Sequence, residues 1–163
     1  MPKHGVQGII FSSSCTVYGQ PDVLPVTEAA PIKKAESPYG NTKQINEEII
    51  DDTIASGSPI KAIKLRYFNP IGAHPSALIG ELPNGVPQNL VPFLTQTAMG
   101  IREKLSVFGD DYDTPDGSCI RDYIYVVDLA KAHVIAMNRI LEGKQKQASE
   151  VFNVGTGRGL LVL

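Results

Sequence analysis

Tyr39 and Lys43 stand four residues apart, and Ser14 lies 25 residues upstream of Tyr39, at the end of the run Phe11-Ser12-Ser13-Ser14. A phenol, an ammonium and a hydroxyl are the groups needed to draw a proton from an alcohol while a hydride leaves its carbon. On a helix, four residues make about one turn, so Tyr39 and Lys43 would share a face with the ammonium beside the phenol. A free tyrosine titrates near ~10 and is a poor base at neutral pH, whereas a fixed cation beside a phenol favours the phenolate. A base poised near neutrality needs about 4 kcal/mol from its surroundings, at roughly 1.4 kcal/mol per tenfold change. The same spacing also occurs on ordinary surface helices, so the surrounding elements have to decide.

Ser37-Pro38 directly precedes the tyrosine. Serine is a good N-cap, and proline suits the first helical position, where no backbone donor is wanted. With Ile45, Ile49 and Thr53 at four-residue steps and Gly57-Ser58-Pro59 as a stop, the pattern predicts a helix over 38–56. Upstream, the apolar run Gly8-Ile9-Ile10-Phe11 predicts a buried parallel strand over 8–13 that empties into three serines, Cys15 and Thr16. The carboxyl end of such a strand is where open α/β sheets place ligands, so Ser14 could hydrogen-bond a substrate oxygen; capping a loop is the plainer alternative.

Further along, the chain predicts a strand at 61–66, a short helix at 89–100, small strands near 105–108 and 121–125, a helix from Val127 to Leu141 and a strand at 151–154. In the second long helix Leu129, Ala132, Ala136 and Ile140 form the core stripe. The β–α–β order over 8–66 requires a crossover and therefore a parallel sheet. From Asn69 to Pro92 the chain is rich in proline and glycine, which separates residues 1–70, read as the second half of a dinucleotide-binding domain, from 71–163, read mostly as a substrate-binding region.

Global features exclude several function classes. Within 163 residues the net charge is −2 and hydrophobic content is 42%, ordinary for a globular α/β domain. Basic residues are scattered, so neither nucleic acid nor a membrane surface is an expected partner. No apolar stretch approaches the roughly 20 residues that span a bilayer. Cys15 and Cys119 are isolated thiols without metal spacing, as expected of a reduced, cytoplasmic protein. Asp111, Asp113, Asp116 and Asp122 are crowded, but Pro115 and Asp116 break the pattern of a calcium loop, and no metal is expected. His74 reads as a loop histidine without a role.

Seven motifs carry a resemblance: Phe11-Ser12-Ser13-Ser14-Cys15-Thr16-Val17-Tyr18-Gly19, Ser37-Pro38-Tyr39-Gly40-Asn41-Thr42-Lys43, Arg66-Tyr67-Phe68-Asn69-Pro70-Ile71-Gly72-Ala73-His74-Pro75, Pro87-Gln88-Asn89-Leu90-Val91-Pro92, Phe108-Gly109-Asp110-Asp111-Tyr112, Arg121-Asp122-Tyr123-Ile124 and Phe152-Asn153-Val154-Gly155-Thr156-Gly157. In this order they resemble the UDP-galactose 4-epimerases, which are extended short-chain dehydrogenases/reductases. The likeness covers nearly the whole chain.

The resemblance implies an α/β fold: the C-terminal part of a Rossmann-like parallel sheet plus part of a smaller UDP-sugar-binding region. It implies interconversion of UDP-galactose and UDP-glucose with NAD as cofactor. Tyr39 would take the proton from the sugar 4-hydroxyl while hydride leaves C4. Lys43 would hold the nicotinamide ribose and favour the phenolate, and Ser14, with Thr16, would bond the same hydroxyl. Ser12, Tyr67 and Pro70 match cofactor-side positions, and Phe68 lies near the sugar. Asn69, Asn89 and Arg121 match positions that hold the UDP diphosphate, and Leu90, Ser106 and Phe108 match the uracil pocket. Plainer readings stand beside these: Asn69 as a turn residue, Phe108 as core, Arg121 as the partner of Asp122 in a surface ion pair. Relatives are commonly homodimers, and the 38–56 helix is a candidate interface.

Two departures matter. Cys15 stands where many relatives have alanine, and a small thiol fits there. The family's Gly-x-x-Gly-x-x-Gly loop, which places the cofactor pyrophosphate at a helix N-terminus, does not occur before Ser12. The cluster Gly155-Thr156-Gly157-Arg158-Gly159 does not replace it, because Leu160 stands where a Gly-x-Gly-x-x-Gly needs its last glycine. The expectation is a central fragment, inactive alone, with Leu160-Leu161-Val162-Leu163 opening a further helix. Cys15-Thr16-Val17 offers no carboxylate to eliminate water, which favours epimerisation over a sugar 4,6-dehydratase. Epimerisation of N-acetylated or pentose UDP-sugars, a non-catalytic UDP-binding remnant, and an interaction module completed by another chain remain as alternatives.

Overall fold

A computed structural model describes residues 1–163, and its centre is a three-stranded parallel sheet. Strands β1 (Gly8–Ser14) and β2 (Lys61–Tyr67) pair in register from Gly8↔Lys61 to Ser14↔Tyr67. Between them runs helix α1 (Pro38–Ala55), the crossover that parallel pairing demands. Ser37 caps it, its Oγ accepting from the Gly40 amide at 3.0 Å, with Pro38 at the first turn. A short strand β3 (Asn69–Ile71) follows, then helix α2 (Leu90–Ala98), strands β4 (Ile120–Arg121) and β5 (Tyr123–Tyr125), and helix α3 (Val126–Leu141). Strand β6 (Ser149–Val154) pairs with β2 on the side away from β1, giving the order β1-β2-β6; the sheet therefore draws on residues beyond 70.

The two faces of the sheet are unlike. Under α3, Ile63, Leu65, Ala136 and Ile140 form an apolar core, with Ile10, Tyr67 and Val154 packed against it. Leu129 is buried on the same helix, whereas Ala132 is only half-buried. Under α1 the alternate residues of β2 are Lys64 and Arg66, both buried, and the only buried residues of α1 are Gly40 and Glu47. Glu47 accepts from Arg66 Nε at 3.0 Å, from Arg66 Nη2 at 2.5 Å and from Ser13 Oγ at 2.5 Å. A buried charge is tolerated only when paired and hydrogen-bonded, and here one carboxylate ties the helix to two strands.

Two expected elements take another form. Residues 105–108 are not a strand: no segment pairs with them, and Val107 and Phe108 are exposed. A strand of that length has no ladder to satisfy its amides without a neighbour. Leu160–Leu161 is not the start of a helix but strand β7, paired antiparallel with β4 as Ile120↔Leu161 and Arg121↔Leu160. The segment expected as one strand over 121–125 is divided into β4 and β5 at Asp122.

Candidate active site

The carboxyl ends of β1 and β2 open into a cavity of about 820 Å³, walled further by β3, the start of α2, the 105–109 loop and the 118–123 segment. Ser14 and Tyr39 both line it. Ser14, 6% exposed, ends β1 and starts the 3-10 turn Cys15–Tyr18, its Oγ accepting from the Thr16 amide at 3.3 Å. Burial pushes the Cys15 thiol up from its ordinary value. Thr16 Oγ1 is buried at the cavity wall without a hydrogen-bond partner. Such a hydroxyl is costly to leave unmet.

The cap at Ser37 sets Tyr39 at the mouth of α1, 52% exposed, and Lys43 one turn further in. Lys43 Nζ lies 5.3 Å from the Tyr39 ring centroid and 5.4 Å from that of Phe11, and donates to the Ser12 carbonyl at 3.0 Å. An ammonium has three donors, so two remain for a ligand. Lys43 and Ser12 are not on the cavity wall; Lys43 reaches it only through the ring of Tyr39. On the α3 side His133 Nδ1–H donates to the Leu129 carbonyl at 2.9 Å, so in the neutral ring Nε2 accepts from Ser12 Oγ at 3.1 Å.

The remaining candidates, Thr16, Tyr67, Phe68, Asn69, Pro70, Asn89, Leu90, Ser106, Phe108 and Arg121, all line the cavity. Phe108 is 98% exposed, which removes the core alternative for it. Asn69 is held by Asp122, whose carbonyl accepts from its backbone N–H and its Nδ2, each at 3.0 Å. Arg121 is not in an ion pair with Asp122 or any other carboxylate; Nη1 donates to the Ile120 carbonyl at 2.8 Å. Asp122 instead accepts from the amides of Thr156 and Gly157. Those amides cannot also cradle a phosphate, which is the structural reason the glycine cluster at 155–159 is not a cofactor loop. His74 is exposed and bonded to Ser76.

Sequence reasoning did not single out Gln88, Tyr112, Cys119 and Tyr123, which also line the cavity, nor Glu47. Glu47 had a signal: it continues the four-residue step of Tyr39 and Lys43.

Comparison with known proteins bears on this geometry. A UDP-glucose 4-epimerase of Dictyostelium discoideum is 53% identical over all 163 residues, which make up 46% of that relative. A crystal structure of UDP-glucose 4-epimerase from Bifidobacterium longum in complex with NAD+ and UDP matches at TM-score 0.92 and 49% identity, over 99% of this chain and 47% of that one. One from Stenotrophomonas maltophila, with bound NAD and formylated UDP-arabinopyranose, matches equally well in TM-score, identity and coverage. The chain thus spans about half the length of the relatives it matches. The fold is α/β and Rossmann-like, and the model of the NAD dependent epimerase/dehydratase family matches residues 1–155; the chain belongs to that family.

Proposed function

We propose that the chain provides the proton-handling centre and the nucleotide-diphosphate site of a UDP-glucose 4-epimerase, an NAD-dependent isomerase interconverting UDP-galactose and UDP-glucose. The observation that carries this is Lys43, 5.3 Å from the ring of Tyr39, with Tyr39 and Ser14 on the wall of one cavity. Tyr39 takes the proton of the sugar 4-hydroxyl and returns it after the keto sugar presents its other face. Ser14 and the unmet Oγ1 of Thr16 bond the sugar oxygen, and Phe68 packs near the ring. Asn69, Asn89 and Arg121 hold the diphosphate, where an arginine fork suits phosphate oxygens. Leu90, Ser106 and Phe108 receive the uracil.

NAD supplies a reversible hydride acceptor at C4. The residues present fit its nicotinamide end: Lys43 has free donors, Ser12 orients Lys43, Tyr67 ends β2, and Pro70 in β3 lines the same cavity. None of them offers a pyrophosphate cradle. Residues 1–70 carry the cofactor side together with β6, and 71–163 add Asn89, Leu90, Ser106, Phe108 and Arg121 to the UDP-sugar side. Half-exposed Ile45 and Ile49 on α1 support a homodimer through that helix, and two unpaired cysteines support a cytoplasmic setting. No helix is long and apolar enough to cross a membrane.

The test is a chimera in which these residues replace the matching segment of the Dictyostelium discoideum relative, assayed for UDP-glucose formed from UDP-galactose. The expected result is turnover that Tyr39→Phe lowers by about 10²–10⁴-fold, or roughly 3–5.5 kcal/mol of barrier, with KM little changed. A folded, NAD-loaded chimera without turnover, or a Tyr39→Phe variant at the parental rate, overturns the proposal. UDP-arabinose and UDP-N-acetylgalactosamine, assayed in parallel, separate the other UDP-sugar epimerases. A second reading, a UDP-binding chain completed by another polypeptide, is favoured by the unpaired outer edge of β1 and the groove of Ile10, Met137, Ile140 and Leu141 beside it. Co-purification with a polypeptide carrying the glycine loop tests it.

A further inference from the structure

Arg121 and Asp122 are adjacent and opposite in charge, yet they do not pair. The carboxylate of Asp122 faces the turn that follows β6. Thr156 N–H lies 3.0 Å from both carboxylate oxygens, Thr156 Oγ1 donates to Oδ1 at 2.7 Å, and Gly157 N–H donates to Oδ2 at 2.9 Å. The turn can approach this closely because residue 155 is glycine: a Cβ there would stand 2.6 Å from Oδ2 of Asp122 and 2.7 Å from Cδ2 of Phe68. Meanwhile the backbone carbonyl of Asp122 receives both donors of Asn69. One residue thus ties two parts of the cavity wall, β3 through Asn69 and the β4–β5 junction it occupies, to the 155–157 turn.

We propose that Asp122 is the positioning residue for the diphosphate end of the cavity. By committing its carboxylate to the turn amides it leaves the guanidinium of Arg121 without an internal counter-ion, and by its carbonyl it fixes Asn69 beside that guanidinium's strand. This rests on the UDP reading above. It makes a prediction whose sign separates it from simple electrostatics. Were Asp122 only a nearby negative charge, removing that charge would tighten the binding of an anion at Arg121. As a positioning residue, its loss loosens that binding, because the amide donors lose their acceptor and the rim relaxes.

The experiment is calorimetric titration of the 163-residue chain with UDP and with uridine, at one fixed ionic strength, for the parent, Asp122→Asn and Gly155→Ala. Asp122→Asn keeps the shape and turns an amide donor toward Gly157 N–H. Gly155→Ala keeps the carboxylate and displaces the turn. Expected for each is about a tenfold loss of UDP affinity with uridine affinity unchanged within about twofold, since uridine lacks the phosphates. Asp122→Asn binding UDP as tightly as the parent or tighter, or uridine affinity falling in step with UDP, overturns the proposal. If circular dichroism shows Asp122→Asn unfolded, the UDP-to-uridine ratio of Gly155→Ala decides alone. A parent chain that leaves UDP unbound removes the nucleotide reading itself; parental binding with unchanged variants removes only the role of Asp122.

Discussion

Replacing Glu47 by alanine isolates what holds α1 against the sheet. Glu47 is 6% and Arg66 5% exposed, and the carboxylate takes both forks of the guanidinium as well as the hydroxyl of Ser13, which is fully buried. Lys64 Nζ stands 3.9 Å from Glu47 but is independently satisfied by Asp51 at 2.7 Å, so it loses little. Truncation therefore strands one buried cation and one buried hydroxyl. Arg66 keeps only the ring of Tyr18, 4.8 Å from Cζ, as a favourable neighbour. Breaking a buried pair from one side costs about 3–5 kcal/mol, and the Ser13 loss overlaps that figure because the same carboxylate serves both. At about 2 kcal/mol per molar urea, the unfolding midpoint should fall by about 1.5–2.5 M with the slope unchanged. Glu47→Gln should cost about 1.5–3 kcal/mol, since the amide meets one arginine donor with another. The double variant Glu47→Met, Arg66→Met should recover most of the loss, because the desolvation of both charges disappears with them. A Glu47→Ala effect below about 1 kcal/mol, or a double variant as unstable as the summed singles, would refute the claim that this pair docks the helix.

Two further outcomes are expected. Arg139 holds Glu150 by Nε and Nη2 at 2.7 and 2.9 Å and draws its carboxyl below the ordinary carboxylate range. The stability this pair adds is fully present above that range and is lost as pH falls through the depressed folded value. The gap in urea midpoint between the parent and Glu150→Gln should thus be widest at neutral pH and close below about pH 4.5; a constant gap down to pH 3 would exclude the pair as its cause. Since burial raises the Cys15 thiol above its usual 9.0, iodoacetamide at pH 7.5 should label Cys15 far more slowly than a free thiol, and UDP should slow it further. Labelling at the rate of free cysteine, monitored by peptide mass spectrometry, would contradict the half-buried placement of the thiol.

How much could be read in advance depended on which force fixed each element. The start of α1 was legible because a serine cap and a first-turn proline act locally, and Ser37 and Pro38 do what their types allow. β1 was legible because an apolar run ending in hydroxyls suits a strand tip opening on a cavity. The cavity residues were legible only through motif resemblance; nothing local in Asn89 or Ser106 says that they share a wall with Tyr39. The underside of α1 was illegible to hydrophobic periodicity, which assumes that the buried face is apolar. Here Ile45 and Ile49 are 44% and 58% exposed while Glu47 is inside. The alternation of β2, with Lys64 and Arg66 between Ile63, Leu65 and Tyr67, held the clue that one face of the sheet would be charged. Leu160–Leu161 misled for the opposite reason: four apolar residues carry no period long enough to separate a helix from a strand, and pairing with Ile120 and Arg121 decided it.

The two cations of the proposed site share a feature that neither shows alone. Lys43 has Glu47 four residues on, the spacing at which a helix would pair them, and Arg121 has Asp122 next to it. Neither pair forms. Glu47 is turned inward to Arg66, and Asp122 is turned to the amides of the 155–157 turn. What Lys43 does bond is neutral, the Ser12 carbonyl, and so is the Ile120 carbonyl that Arg121 bonds. In a chain with 17 acidic and 15 basic residues, one unpaired cation on the cavity wall, Arg121, and another beside Tyr39, Lys43, require that nearby carboxylates be engaged elsewhere. Each engagement is structural as well: one docks the helix that carries Tyr39, the other fixes the rim that carries Asn69. The same bonds that fold this part of the molecule therefore leave Lys43 and Arg121 without a carboxylate partner.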